Sequence, residues 1–215
     1  MTRRIVVITA GLSQPSSTRL LADRLADAVT AQVSARGEAA SVEVVELREL
    51  AHDLATTMTT GGMPTPAVAQ ARDLVSSADA LIAVTPVFAA SYSGLFKMFV
   101  DVLDPEAIAG MPVLIAATAG TARHQLVLDH ALRPLFSYLR AAVVPTGVFA
   151  ATDDFGGAGS ADLGRRITRA AGELAGAVVA AGVAGFGPSE GSRSAGTRVE
   201  QQVTDFEDLL AGLGQ

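Results

Sequence analysis

The sequence predicts an open, parallel, doubly wound α/β sheet. Short apolar runs alternate strictly with longer amphipathic stretches, four of the five runs are almost continuously apolar, and loops rich in small residues follow them. Strands covered by helices on both faces lose the apolar–polar alternation of a half-exposed strand, and β-α alternation implies parallel neighbours joined by right-handed crossovers.

In chain order, strands are expected over residues 4–9, 41–47, 80–85, 112–118 and 143–150, and they assemble in the order 2-1-3-4-5. Helical periodicity occupies 18–35, 66–77, 95–103, 125–141 and 161–181. Arg133-Pro134 marks a kink in the helix over 125–141, where Asp129 and His130 read as structural residues. Residues 50–65 turn polar and Gly-rich after an initial helical turn, which predicts an irregular excursion suited to a lid or a subunit contact. Residues 185–196 form a Gly/Ser-rich linker, and 197–213 resume helical periodicity through Val199, Val203, Phe206, Leu209 and Leu210. The chain therefore divides into a domain over 1–184 and an appendage over 185–215, whose helix suits docking on another subunit.

Composition narrows the function. At 215 residues and 49% hydrophobic content the chain can bury a full core, and its net charge of −6 with singly scattered Lys and Arg excludes a nucleic-acid partner. The absence of Cys excludes disulfides, thiolate metal sites and a cysteine nucleophile, and the three His lack ligand spacing, so any cofactor is organic. No apolar stretch reaches the roughly 18 residues of a membrane span, and the run at 5–8 is too short for a signal peptide. A cytoplasmic protein with no membrane partner is expected.

Three loops carry the chemistry. The first, Gly11-Leu12-Ser13-Gln14-Pro15-Ser16-Ser17-Thr18, runs from a strand straight into a helix, where unpaired amides and the positive end of the dipole favour an anion. It lacks GxGxxG and GxxxxGK[ST], which favours a lone monophosphate gripped by hydroxyls; an N-cap cluster with no ligand is an equal alternative for this loop taken alone. The second loop follows Thr85-Pro86 through Val87, Phe88, Ala89, Ala90, Ser91, Tyr92, Ser93 and Gly94, a composition that can pass under a flat ring such as a flavin. Its aromatics Phe88, Tyr92 and Phe96 are equally read as core or interface residues. The third, Thr118-Ala119-Gly120-Thr121-Ala122-Arg123-His124, offers backbone amides to a polar ring edge. Arg123 and His124 either stand at the mouth of the site or merely begin the next helix in solvent. In the order 2-1-3-4-5 these three loops meet at the switch point of the sheet, where such folds bind ligands.

The stretches 11–21, 85–103 (TPVFAASYSGLFKMFVDVL) and 117–149 resemble the NAD(P)H-dependent FMN reductases of the flavodoxin-like fold. The similarity is to the branch that supplies reduced FMN to two-component monooxygenases of the alkanesulfonate or luciferase-like class, and it spans residues 1 to about 182 by strand order. It implies a three-layer sandwich, FMN and NAD(P)H as ligands, a flavin-dependent monooxygenase as partner and a homodimer or homotetramer. It also assigns roles: Ser13, Ser16, Ser17 and Thr18 to the FMN phosphate, Pro86, Val87, Phe88 and Ala89 with nearby Ser91 to the ribityl chain and ring, and Thr118, Ala119, Gly120 and Thr121 to the polar ring edge. Many relatives carry an Arg shortly after the first Ser, where Gln14 stands here. Phosphate neutralisation then falls to Arg19, to backbone amides, or to neither.

Hydride transfer from nicotinamide C4 to flavin N5 needs no acid–base residue, which agrees with a sequence that offers no triad, nucleophile or carboxylate pair. A quinone or azo reductase that retains FMN is the nearest alternative, and a flavodoxin-type electron carrier the next. A receiver domain is disfavoured because Thr9-Ala10-Gly11 ends the first strand where an acidic cluster would be needed.

Overall fold

The computed structural model describes residues 1–156 and 159–184. The expected linker and helix over 185–213 lie outside the described residues. Strand β1 (Thr2–Thr9) lies between β2 (Ala39–Glu46) and β3 (Ala80–Phe88), and β3 pairs on its far side with β5 (Pro112–Ala119); all these pairs are parallel. The last position of the sheet is filled by β6 (Ala142–Val143) and β7 (Val148–Ala151), both parallel to β5. This is the expected flavodoxin-like order, with the fifth strand split in two.

The split has a local cause. Pro145 has no N–H for a ladder, and a Cβ at Gly147 would meet Leu128 Cδ1 at 3.1 Å. The freed backbone groups find side-chain partners: Arg133 donates to the carbonyls of Val144 at 3.2 Å and Pro145 at 2.9 Å, and Glu173 accepts from Thr146 N and Oγ1, both at 2.7 Å.

Helices cover both faces. On one side α1 (Ser17–Ser34) and α6 (Ser160–Ala184) pack Leu21, Leu25, Val29, Leu163, Ala170 and Leu174 against Ile5, Val7, Ile82 and Leu114. On the other, α2 (Ala51–Thr59), α3 (Pro66–Ser76), α4 (Gly94–Asp101) and α5 (Arg133–Tyr138) pack against Val6, Ile8, Leu81, Val113 and Ile115. Phe96, Phe99 and Phe136 are fully buried there, each worth about 1.5–3 kcal/mol in transfer from water. Phe96 sits 6.0 Å from the Tyr92 ring and 6.3 Å from that of Phe136, which makes it a core residue. Among the described residues no helix is long and apolar enough to cross a membrane.

Three elements depart from expectation. Most of the 50–65 excursion is helical: a 3-10 turn (Leu47–Leu50) leads into α2, which buries Leu54 and Thr57, and the irregular part shrinks to residues 60–65. The helix expected over 125–141 is shorter and irregular: a 3-10 turn (Ala122–His124) precedes it, and the span itself holds a π-helical turn (Leu128–Leu132) and then α5; the pitch changes next to Pro134, which cannot donate into a regular ladder. Strand β3 also runs past Thr85 to Phe88 and folds back through a two-residue turn into β4 (Ser91–Tyr92).

Candidate functional site

The carboxyl ends of β1, β3, β5 and β7 open onto one cleft of about 290 Å³. The first loop contributes Leu12, Ser13, Ser16, Ser17 and Thr18, the end of β3 contributes Pro86, Val87 and Phe88, and the end of β5 contributes Thr118, Ala119 and Gly120. Thr152, on the 3-10 turn Thr152–Phe155 after β7, completes the lining.

The first loop is shaped by its own hydrogen bonds. Ser13 Oγ donates to the Pro15 carbonyl at 2.9 Å, and Ser16 caps α1 by accepting from Arg19 N at 3.2 Å. Gly11 is required by close approach, since a Cβ there would lie 2.1 Å from Ser16 Oγ. At the base of the loop Thr18 Oγ1 and Thr118 Oγ1 share a buried hydrogen bond of 2.8 Å, which ties the start of α1 to the end of β5. The β3 loop is closed in the same way: Thr85 Oγ1 accepts from Ser93 N at 3.0 Å and donates to the Pro86 carbonyl at 2.9 Å, and Ser93 then caps α4. Both ends of the Pro86–Tyr92 segment are thereby pinned to one threonine.

Several sequence candidates stand apart from the lining. Ala89 occupies the hairpin turn and Ser91 the returning strand β4; Thr121 caps the exposed 3-10 turn that carries Arg123 and His124. Arg19 turns to Asp23 at 2.7 Å and to Glu46, and hydrogen bonding to Asp23 first, then to Glu46, raises its guanidinium above the ordinary arginine pKa. Leu12 and Thr152 carried no sequence signal as site residues. The position of Thr152 one residue past an apolar strand end was the available cue.

The cleft offers hydroxyls and a helix N-terminus at one end, apolar walls in the middle and small residues at the other. A family model described as NADPH-dependent FMN reductase matches residues 3–156. The chain belongs to that family. Within the NADPH-dependent FMN reductase family it is 38% identical over 154 residues to a protein named FMN reductase (NADPH) from Pseudomonas aeruginosa, covering 71% of this chain and 78% of that one. It is also 38% identical over 169 residues to NADH-dependent FMN reductase SfnE from Pseudomonas putida, covering 78% and 88%. The X-ray structure of an oxidoreductase from Corynebacterium diphtheriae superposes with a TM-score of 0.81 at 60% identity, covering 83% of this chain and 98% of that one. The residues of the cleft fit the flavin mononucleotide that the family name implies: the serine hydroxyls at the start of α1 suit a phosphate, and the apolar wall of Pro86, Val87 and Phe88 suits a flat ring.

Proposed function

We propose that this chain is an NAD(P)H-dependent FMN reductase whose flavin site is the cleft above the ends of β1, β3 and β5. The convergence of three sequence-distant loops on one cleft is the observation that carries the reading. Ser16, Ser17 and the amides at the start of α1 hold the phosphate, where hydroxyl donors and the helix dipole act together, and Ser13, whose hydroxyl donates to the Pro15 carbonyl, shapes the loop around it. Pro86, Val87 and Phe88 form the wall for the ribityl chain and ring, and Ala119 and Gly120 present backbone to the polar edge. Bound there, FMN supplies the two-electron acceptor chemistry, taking a hydride from NAD(P)H and a proton to give reduced FMN. The protein aligns the two ligands and leaves one flavin face open; Phe88 and Leu12, both about half exposed, flank that opening.

The resemblance of the three motif stretches extends the proposal to a cytoplasmic homodimer or homotetramer that hands reduced FMN to a two-component monooxygenase. The test is steady-state oxidation of NADH and NADPH with FMN, FAD and riboflavin each offered as acceptor. Saturable dependence on FMN is expected. Oxidation with a quinone and with none of the flavins would overturn the reading, and flavin retained through gel filtration would instead favour the quinone or azo reductase.

A further inference from the structure

Residues 11–18 carry no charged side chain, so a phosphate held there needs its counter-charge from elsewhere. Arg48, on the 3-10 turn after β2, reaches this loop. With the Gln14 amide oriented so that its oxygen faces a donor, Gln14 Oε1 accepts from Arg48 Nη1 at 2.9 Å and also from Nη2. The carboxylates beside Arg48 lie beyond hydrogen-bond reach, Glu46 at 3.9 Å and Glu49 at 3.9 Å. Arg19 differs in this respect, being tightly paired with Asp23 and with Glu46 Oε1. The two arginines thus share Glu46, and Arg48 meets its two carboxylates only in long ion pairs without a hydrogen bond, which leaves its guanidinium donors to Gln14.

Building on the flavin reading of the cleft, we propose that Arg48 is a positioning residue that makes the site select phosphorylated over unphosphorylated flavin. It fixes the Gln14 side chain and brings a positive charge to the loop whose Ser13, Ser16 and Ser17 line the cleft. An amide whose oxygen is bound by a cation has more strongly polarised N–H donors, so Gln14 relays the charge toward the loop instead of leaving it at the rim. Ser16, Ser17 and the start of α1 then supply directional donors, and Arg48 supplies the charge that they lack.

The test is equilibrium binding of FMN and of riboflavin, each read by quenching of flavin fluorescence, to the full chain and its variants. For Arg48→Ala the FMN Kd rises about tenfold or more while the riboflavin Kd stays within about twofold, and Arg48→Lys lies between wild type and Arg48→Ala. Added salt weakens FMN binding to wild type more than to Arg48→Ala. Should Arg48→Ala fail to fold, Gln14→Glu keeps the arginine and places a negative charge at the loop, and it weakens FMN selectively as well. Equal loss for both flavins, or no loss for FMN, overturns the role of Arg48. A wild-type chain that binds neither flavin overturns the reading of the cleft and this inference with it.

Discussion

Thr18 and Thr118, 100 residues apart in sequence, share a buried hydroxyl–hydroxyl hydrogen bond of 2.8 Å directly beneath the cleft. One residue lies in the first turn of α1 and the other in the last turn of the ladder on β5, so the bond fixes the distance between the hydroxyl loop and the Ala119-Gly120 loop.

Replacing one partner leaves the other hydroxyl buried and unpaired, which costs about 1–3 kcal/mol. Thr18→Val and Thr118→Val are each expected to lose stability in that range, and the double variant to lose clearly less than their sum. Urea denaturation of the four proteins measures this. Strict additivity would show that the bond does not couple the two loops.

Gly11→Ala tests the cradle. A Cβ placed 2.1 Å from Ser16 Oγ must displace the hydroxyl that caps α1. Loss of the cap alone costs about 1 kcal/mol, and the displaced loop should also bind FMN about tenfold more weakly. A variant with wild-type thermal stability and FMN affinity would mean that the loop yields freely.

The strands were legible because their interiors are continuously apolar, as at Leu81, Ile82, Ala83 and Val84, and the three-loop site followed from their order. What remained hidden depended on partners distant in sequence or on atypical local chemistry. Helix α2 was obscured by its threonines, which usually mark loops. Here Thr56, Thr57 and Thr59 donate to the carbonyls of His52, Asp53 and Ala55, four residues back. The split of the fifth strand at Pro145 and Gly147 is tolerated because Arg133 and Glu173 reach Val144 and Thr146, partners that no local pattern reports. Thr152 enters the cleft only because β7 pairs with β5.

The hairpin between Phe88 and Ser91 was hidden for a different reason. Its turn residues Ala89 and Ala90 have φ of 48° and 63°, a conformation usually signalled by Asn or Gly. Left-handed backbone costs an alanine roughly 1–2 kcal/mol. Replacing Ala89-Ala90 by Asn-Gly should therefore raise stability, by about 1 kcal/mol after the entropy cost of Gly. A lower thermal midpoint for the pair would show that the alanine methyl groups make contacts worth more than the strain.

The edge of the sheet should be acid-sensitive. Arg3 grips Glu38 through Nε and, at 3.0 Å, through Nη2, and this hydrogen bonding holds the Glu38 carboxyl below its ordinary pKa. A carboxylate whose pKa is lowered by folding contributes stability that is complete above its unfolded pKa and disappears as the pH falls through the folded one. Wild type should exceed Glu38→Gln in stability at about pH 7, and the gap should close as the pH is lowered past about 4. Denaturation midpoints across that interval decide the matter, and a gap independent of pH would contradict it.

Phe88 separates ring recognition from phosphate recognition. It stands 49% exposed on the wall of the cleft with Leu12 at 53%, whereas Phe96, the next phenylalanine along the chain, is fully buried. An exposed aromatic on a cleft wall gains by covering a planar ligand, and truncating it removes that contact without opening the core. Phe88→Ala should leave thermal stability nearly unchanged and raise the Kd of FMN and of riboflavin by a similar factor, about tenfold. That pattern is the opposite of the one expected for Arg48→Ala, where only the phosphorylated flavin suffers. Measured side by side, the two variants divide the site into a ring wall and a charged rim. If Phe88→Ala spared both flavins, the ring would have to lie against another part of the cleft lining, such as Pro86, Val87 or the Ala119-Gly120 backbone.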